Sequence, residues 1–192
     1  MRNVKRLAVY CGASPGGDAA FADAARDLGR AMAERNVDLV YGGGKLGLMG
    51  IVADTVLDAG GQVFGVIPQT LVDHEVAHRG VTELHTVAGM HERKAKFTEL
   101  ADAFVCLPGG IGTLDELFEA WTWNALGYHA KPFCLLNING FWEGLGTFMD
   151  HVRDSGFLSE ARRSQLLMAA TPAEALDLLD EAAGNGEQGL TW

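Results

Sequence analysis

Two periodicities alternate along the chain. Short, almost wholly apolar runs read as strands: "LAVYC" (7–11), "DLVYGG" (38–43), "QVFGVIP" (62–68), "VTELHTV" (81–87), "AFVCLP" (103–108) and "PFCLLN" (132–137). Between and after them, apolar residues recur at helical spacing in "AFADAARDLGRAMAERN" (20–36), "LGLMGIVADTVLDAGG" (46–61), "GMHERKAKFTEL" (89–100), "LFEAWTWNAL" (117–126), "FWEGLGTFMDHVRDSG" (141–156) and "PAEALDLLDEAAG" (172–184). Paired glycines close the second helix and Pro68 ends the third strand. Strands that are apolar on both sides, separated by amphipathic helices, predict a parallel sheet covered on both faces. The expectation is one doubly wound, Rossmann-like α/β domain over residues 1–183, with 184–192 ("GNGEQGLTW") a flexible tail. No repeat, low-complexity stretch or interdomain linker interrupts it.

Composition narrows the function classes. With 192 residues and 48% hydrophobic content the chain can bury one substantial core. A formal net charge of -10 argues against an electrostatic nucleic-acid binder and against an anionic membrane surface. It leaves room for a small phosphorylated ligand, because a local site can oppose the global charge. No stretch is long and apolar enough for a helical membrane span, and the first apolar run is too short for a signal peptide, so a cytoplasmic location is expected. The three cysteines, Cys11, Cys106 and Cys134, fall in or near strand-like runs without C-x-x-C spacing and read as buried reduced thiols.

In such sheets ligands bind at the carboxyl ends of the strands, where the strand order reverses. The loops there after the first, second and fifth strands are all glycine-rich: "CGASPGG" (11–17), "YGGGKLGLMG" (41–50) and "LPGGIGTLDE" (107–116). Glycine lets backbone N–H groups approach a phosphate closely. Gly42, Gly44 and Gly47 satisfy G-x-G-x-x-G, but after the second strand, and no acid ends the third strand to hold a ribose hydroxyl. A nicotinamide or flavin cofactor is therefore not expected. "HEVAH" (74–78) matches H-E-x-x-H, yet it is pinned between Pro68 and Gly80 and lacks the longer third-ligand pattern. No metal site is expected there.

Two features carry candidate chemistry. Arg93 and Lys94 lie near a helix start, where the macrodipole disfavours cations, and Arg93 can present a planar fork to an oxyanion. In "LPGGIGTLDE", Thr113 and Glu116 have T-x-x-E spacing, a capping box in which each side chain satisfies the other's backbone amide. Alternatively, the amides around Gly109, Gly110 and Gly112 receive a phosphate while Glu116 faces the sugar. There a carboxylate meets the cation developing at the anomeric carbon or activates the attacking water.

"PGGIGTLDE" resembles the PGGxGTxxE motif of the LOG ("Lonely Guy") family of cytokinin riboside 5'-monophosphate phosphoribohydrolases. "MHERK", "GGGKLGLMG", "CGASPG" and "LLNINGFW" agree with that family too, so the similarity runs from about residue 5 to residue 180. The resemblance implies cofactor-free hydrolysis of a nucleoside 5'-monophosphate to a free adenine-type base and ribose 5-phosphate. It implies that Arg93 and Glu116 are the catalytic pair and that Glu75, Lys94, Gly109, Gly110, Gly112, Thr113 and Thr122 contact substrate. It also implies a homodimer, "TWNALGYH" being similar to the dimeric subgroup. Such proteins also go under the name lysine decarboxylase, but no lysine here has a pyridoxal-site context. A non-catalytic module binding AMP-like nucleotides is the second function class, and Arg93 together with Glu116 favours the enzyme.

Overall fold

The computed structural model describes residues 3–72 and 77–185. Seven strands form one sheet: β1 (Arg6–Tyr10), β2 (Asp38–Tyr41), β3 (Val63–Pro68), β4 (Glu83–Val87), β5 (Ala103–Cys106), β6 (Phe133–Leu136) and β7 (Leu166–Ala169). Their spatial order is β4-β3-β2-β1-β5-β6-β7, and every pairing is parallel. The chain steps outward from β1 to β4, then returns to place β5 on the other flank of β1, with Tyr10 opposite Cys106. That reversal between β1 and β5 is where a doubly wound sheet leaves a crevice.

Helices cover both faces, as the apolar strands require. On one face, α1 (Ala19–Glu34), α2 (Gly47–Asp58) and α7 (Pro172–Gly184) pack a core that includes Leu28, Met32, Val52, Val56 and Leu179. On the other, α3 (Met90–Leu100), α4 (Ile111–Ala125) and α5 (Glu143–Asp154) bury Phe97, Leu117, Trp121 and Met149 against Phe104 and Phe133. A short α6 (Glu160–Arg163) precedes β7, and its Arg162 donates to the carbonyls of Asn124 and Ala125, closing the end of α4. No helix among the described residues is long and apolar enough to cross a membrane. Cys11, Cys106 and Cys134 are buried free thiols, as expected.

The six expected strands and six long helices are present. The pattern missed β7, whose "LLMA" is half-buried at the sheet edge and carries no β-branched or aromatic residue to mark a strand. The stretch 186–192 of the expected tail lies outside the described residues.

Backbone hydrogen bonds knit the three glycine loops together. Gly12 N–H donates to the Pro108 carbonyl at 3.1 Å, and the Gly12 carbonyl accepts from Leu48 N–H at 3.1 Å. The start of α2 can approach this closely because Gly47 has no side chain. At Gly47 φ is +61°, and a Cβ there would lie 2.3 Å from the Ala13 carbonyl carbon. Gly47→Ala therefore meets both a disfavoured dihedral and a backbone clash, and is expected to destabilise the fold by more than about 1 kcal/mol. A lower urea midpoint at an unchanged slope is the expected result; a wild-type midpoint would show that the junction yields.

Candidate active site

At the carboxyl edge of the sheet, a cavity of about 360 Å³ is lined by all three glycine loops and by three helices. Cys11, Gly12, Ala13 and Ser14 follow β1, Gly42 follows β2 and Met49 is on α2; Gly110, Gly112, Thr113 and Glu116 come from the β5 loop and α4, and Arg93 from α3. The volume falls in the range of small-molecule sites.

Arg93 is the fourth residue of α3 and is only 5% exposed. A buried guanidinium needs acceptors, and the ends of the strands supply them: Nε donates to the Val66 carbonyl at 3.1 Å and Nη2 to the Gly42 carbonyl at 2.8 Å. Its plane also lies 5.6 Å from the Phe97 ring centroid. Gly42 makes room for this, since a Cβ there would fall 2.4 Å from Arg93 Nη2 and 2.9 Å from Met49 Sδ. The charge is thus locked against the sheet edge and turned into the cavity wall.

The capping box is not formed. α4 starts at Ile111 with Gly110 as its cap residue and no side-chain cap hydrogen bond, so Thr113 already has helical backbone and Glu116 is the sixth helical residue. The chain reverses at Pro108–Gly109–Gly110, and the helix begins as soon as those glycines allow. Thr113 is buried and packs under Gly109, where a Cβ would come within 2.1 Å of its hydroxyl. Cβ atoms at Gly110 and Gly112 would meet nothing within 4 Å. The N–H groups of the first turn of α4 therefore lack side-chain caps beside open space, an arrangement suited to an anion. Six residues of helix at ~1.5 Å each set Glu116 ~9 Å beyond Gly110, about the span of a ribose carrying a 5'-phosphate.

Glu116 is partly buried, and its charge acts across the cavity. Burial first, and then the Glu116 carboxylate, push the Cys11 thiol far above its ordinary range. The same two causes raise the Tyr10 hydroxyl. Both effects disfavour the thiolate at Cys11, the form a nucleophile needs.

Of the residues implied by the resemblance, Arg93, Gly110, Gly112, Thr113 and Glu116 line one cavity, and Gly109 lines a smaller apolar recess that shares Gly12, Ser14 and Gly110 with it. Lys94 and Thr122 do not line the cavity. Lys94 Nζ sits 2.9 Å from Asp115 Oδ2 and 3.3 Å from Glu119 Oε1, and Thr122 is exposed further along α4. Glu75 and His74 lie outside the described residues. Sequence reasoning passed over Met49 and Gly42 as wall residues; their place after the second strand, in a loop already marked as glycine-rich, was the available signal.

His78 has both ring nitrogens engaged. Nε2 is 2.8 Å from Asp54 Oδ1, and Nδ1 accepts from Gly80 N–H at 3.2 Å. Its backbone N–H donates to the Gly43 carbonyl at 2.9 Å, which fastens this segment to the second glycine loop. A histidine so committed is poorly placed as a metal ligand.

A family model described as "Possible lysine decarboxylase" matches residues 49–179. The cytokinin riboside 5'-monophosphate phosphoribohydrolase LOG of Oryza sativa subsp. japonica is 47% identical over 188 residues, covering 98% of this chain and 78% of its own. The cytokinin riboside 5'-monophosphate phosphoribohydrolase LOG3 of Arabidopsis thaliana is 46% identical over 179 residues, 93% of this chain and 83% of its own. Among solved structures, TM1055, a structural-genomics target, has a TM-score of 0.72 at 25% identity, covering 92% of this chain and 99% of its own. The Moco carrier protein from Chlamydomonas reinhardtii shares the fold, with a TM-score of 0.71 at 20% identity over 94% of this chain and 98% of its own.

With His78 committed to Asp54 and Gly80, dialysis against a strong chelator is expected to leave both the folded protein and its activity unchanged, with no stoichiometric zinc by elemental analysis. About one zinc per chain, with activity lost on its removal, is the opposite outcome.

Proposed function

The chain belongs to the LOG family of phosphoribohydrolases, and on that premise we propose that it hydrolyses the N-glycosidic bond of a nucleoside 5'-monophosphate, AMP or an N6-modified AMP, to the free base and ribose 5-phosphate. One observation carries the reading: a cavity lined by buried Arg93 and by Glu116 also takes in the uncapped first turn of α4. A nucleotide needs opposite charges at its two ends. The phosphate is an anion throughout, while the sugar becomes cationic as the bond to the base breaks.

The first-turn N–H groups of α4 hold the phosphate, with the helix dipole adding to their attraction, and Gly109, Gly110, Gly112 and Thr113 form its cradle. Glu116 then lies at the anomeric carbon, where its carboxylate stabilises the oxocarbenium-like transition state or takes a proton from the attacking water. Water adds to C1', the C1'–N bond breaks with its electron pair leaving on the base, and a proton ends on that nitrogen. Arg93 offsets the negative charge on the departing base. Glu75 is carried as a substrate contact on the resemblance alone.

A decarboxylase reading fits poorly. Pyridoxal chemistry needs a lysine to bear the cofactor, and among the described residues no lysine lines the cavity. A binding module without turnover has no use for an acid facing the sugar, so Arg93 with Glu116 favours the enzyme. The reading includes residues 1–183 acting as one cytoplasmic domain and a homodimer. Tyr128, 75% exposed, packs edge-on against Trp123 at a surface cavity, and Leu126 between them in sequence is 48% exposed, apolar groups that a second copy would cover.

Incubation of the purified protein with AMP is expected to release free adenine; no release at any protein concentration would defeat the proposal. Glu116→Gln should reduce that release at least about a hundredfold. The exchange removes one charge and keeps the side chain's size, so the variant should remain folded, as its urea midpoint would show. AMP binding by calorimetry should persist, since the α4 amides and Arg93 remain. Retained hydrolysis in the folded variant would remove Glu116 from the mechanism.

Arg93→Lys keeps the charge, but a single ammonium lacks the planar fork that engages the Val66 and Gly42 carbonyls together. Turnover should fall by about an order of magnitude or more. Wild-type rates would return Arg93 to a purely structural role.

A further inference from the structure

The two carbonyls that seat Arg93 are held in different ways. Val66 lies inside β3 and is paired in the ladder with His85 of β4. Gly42 is the first residue past the end of β2, whose pairing with β3 stops at Tyr41 opposite Gly65. At Gly43 φ is +76°, so the chain turns off the sheet directly after the carbonyl that accepts from Arg93 Nη2. The ladder alone therefore does not fix the Gly42 carbonyl.

A strap of residues 77–80, on the way from β3 to β4, supplies the missing hold. Ala77 forms an isolated antiparallel bridge with Gly44, and His78 N–H donates to the Gly43 carbonyl at 2.9 Å. From the other side, the loop is pressed on β3: a Cβ at Gly43 would lie 3.1 Å from Ile67 Cβ and 3.4 Å from Val66 N. The strap is itself fastened by the His78 ring, whose side chain is 7% exposed. Nδ1 accepts from Gly80 N–H at 3.2 Å, which places the ring hydrogen on Nε2, 2.8 Å from Asp54 Oδ1 on α2. One run of contacts thus leads from Asp54 through His78 to the neighbour of Gly42.

We propose that His78 is a positioning residue for Arg93: anchored on Asp54, it clips the second glycine loop to β3 and so fixes the Gly42 carbonyl that aims the guanidinium. The proposal deepens the reaction assigned above and rests on it for its kinetic consequence, while the clip itself is independent of that reaction. It gives the last residue of "HEVAH" a task other than metal binding. Supporting groups of this kind matter because a charge must be aimed before the reaction begins. A side chain that only stabilised the fold would lower the unfolding midpoint and leave kcat of the folded protein unchanged. One that acted on the substrate would raise KM. One that acts through Arg93 lowers kcat, because the guanidinium meets charge that develops on the base only as the bond breaks.

The test compares His78→Ala, Asp54→Ala, the two together, His78→Gln, and His78→Ala added to Arg93→Lys. For adenine release from AMP, His78→Ala is expected to lower kcat about fivefold or more, with KM and the calorimetric Kd within about threefold of wild type. Asp54→Ala should show the same split, and the double variant should be no worse than His78→Ala, since both remove one bond. His78→Gln keeps a donor for Asp54 and should recover most of the rate. Added to Arg93→Lys, His78→Ala should cost less than about a further twofold, because the fork it aims is already gone. Wild-type kcat in Asp54→Ala and in folded His78→Ala would overturn the proposal. So would a KM raised about tenfold at unchanged kcat, or losses that multiply in full with Arg93→Lys. Asp54 is 55% exposed at its side chain, so Asp54→Ala decides the matter should His78→Ala fail to fold. A second readout needs no nucleotide: the Arg93 Nε–H, followed by NMR, should exchange its hydrogen faster in both alanine variants. Unchanged exchange in both would also overturn the proposal. A wild-type protein that released no adenine would defeat the assigned reaction, while the Arg93 exchange would still decide the clip.

Discussion

The site depends on the backbone of one residue. The Gly12 N–H is bound to the Pro108 carbonyl and the Gly12 carbonyl to the Leu48 N–H, so one residue ties the loop after β1 to the loop after β5 and to the start of α2. Those partners belong to opposite sides of the point where the strand order reverses. A side chain at Gly109 would come 2.9 Å from the Gly12 nitrogen and one at Gly47 would come 2.3 Å from the Ala13 carbonyl carbon, so the three loops meet this closely only around glycine. Parallel pairing of β1 with β5 brings the strand ends level, and the Gly12 contacts then turn three loose ends into one wall.

Within that wall the electrostatics are divided. Positive potential comes from two sources of different kinds: a fixed guanidinium seated on strand-end carbonyls and the uncapped amides of α4. Negative potential comes from Glu116, whose reach is felt in the raised Cys11 and Tyr10 groups. Backbone amides hold an anion without adding a full charge to the chain, which is how a protein of net charge -10 can present an anion site. The carbonyls of Val66 and Gly42 have the complementary effect, for they give acceptors to a guanidinium that is almost wholly buried.

The sheet architecture was legible because strands buried on two faces lose alternation altogether, while the covering helices keep a helical period. The loops after β1, β2 and β5 were legible for a similar reason, since glycine clusters mark where backbone must approach backbone or ligand. Other features hinge on where an element begins. T-x-x-E satisfies a capping box on paper, and only the onset of α4 at Ile111 puts Thr113 inside the helix. Two acceptors of Arg93, the carbonyls of Gly42 and Val66, come 51 and 27 residues earlier in the chain, and backbone acceptors leave no trace in residue identity. Lys94 and Arg93 look alike along the sequence, yet a turn of about 100° sends one to α4 and the other to the sheet edge. β7 was missed because its Leu, Leu, Met and Ala are as much at home in a helix, with no β-branched or aromatic residue to mark a strand.

The central place of β1 has a consequence for how the protein is made. Its first partner, β2, emerges from the ribosome soon after it, but the flank that will face β5 stays unpaired until residue 106 has been synthesised. At typical translation rates, the 95 residues from Cys11 to Cys106 take about 5–20 s to appear. Throughout that interval the nascent chain holds an open strand edge in the middle of its future sheet, the sort of edge that invites wrong pairing. The crevice between β1 and β5 is therefore a seam closed late, and a chain stalled before α4 has neither a complete sheet nor a place to hold a nucleotide.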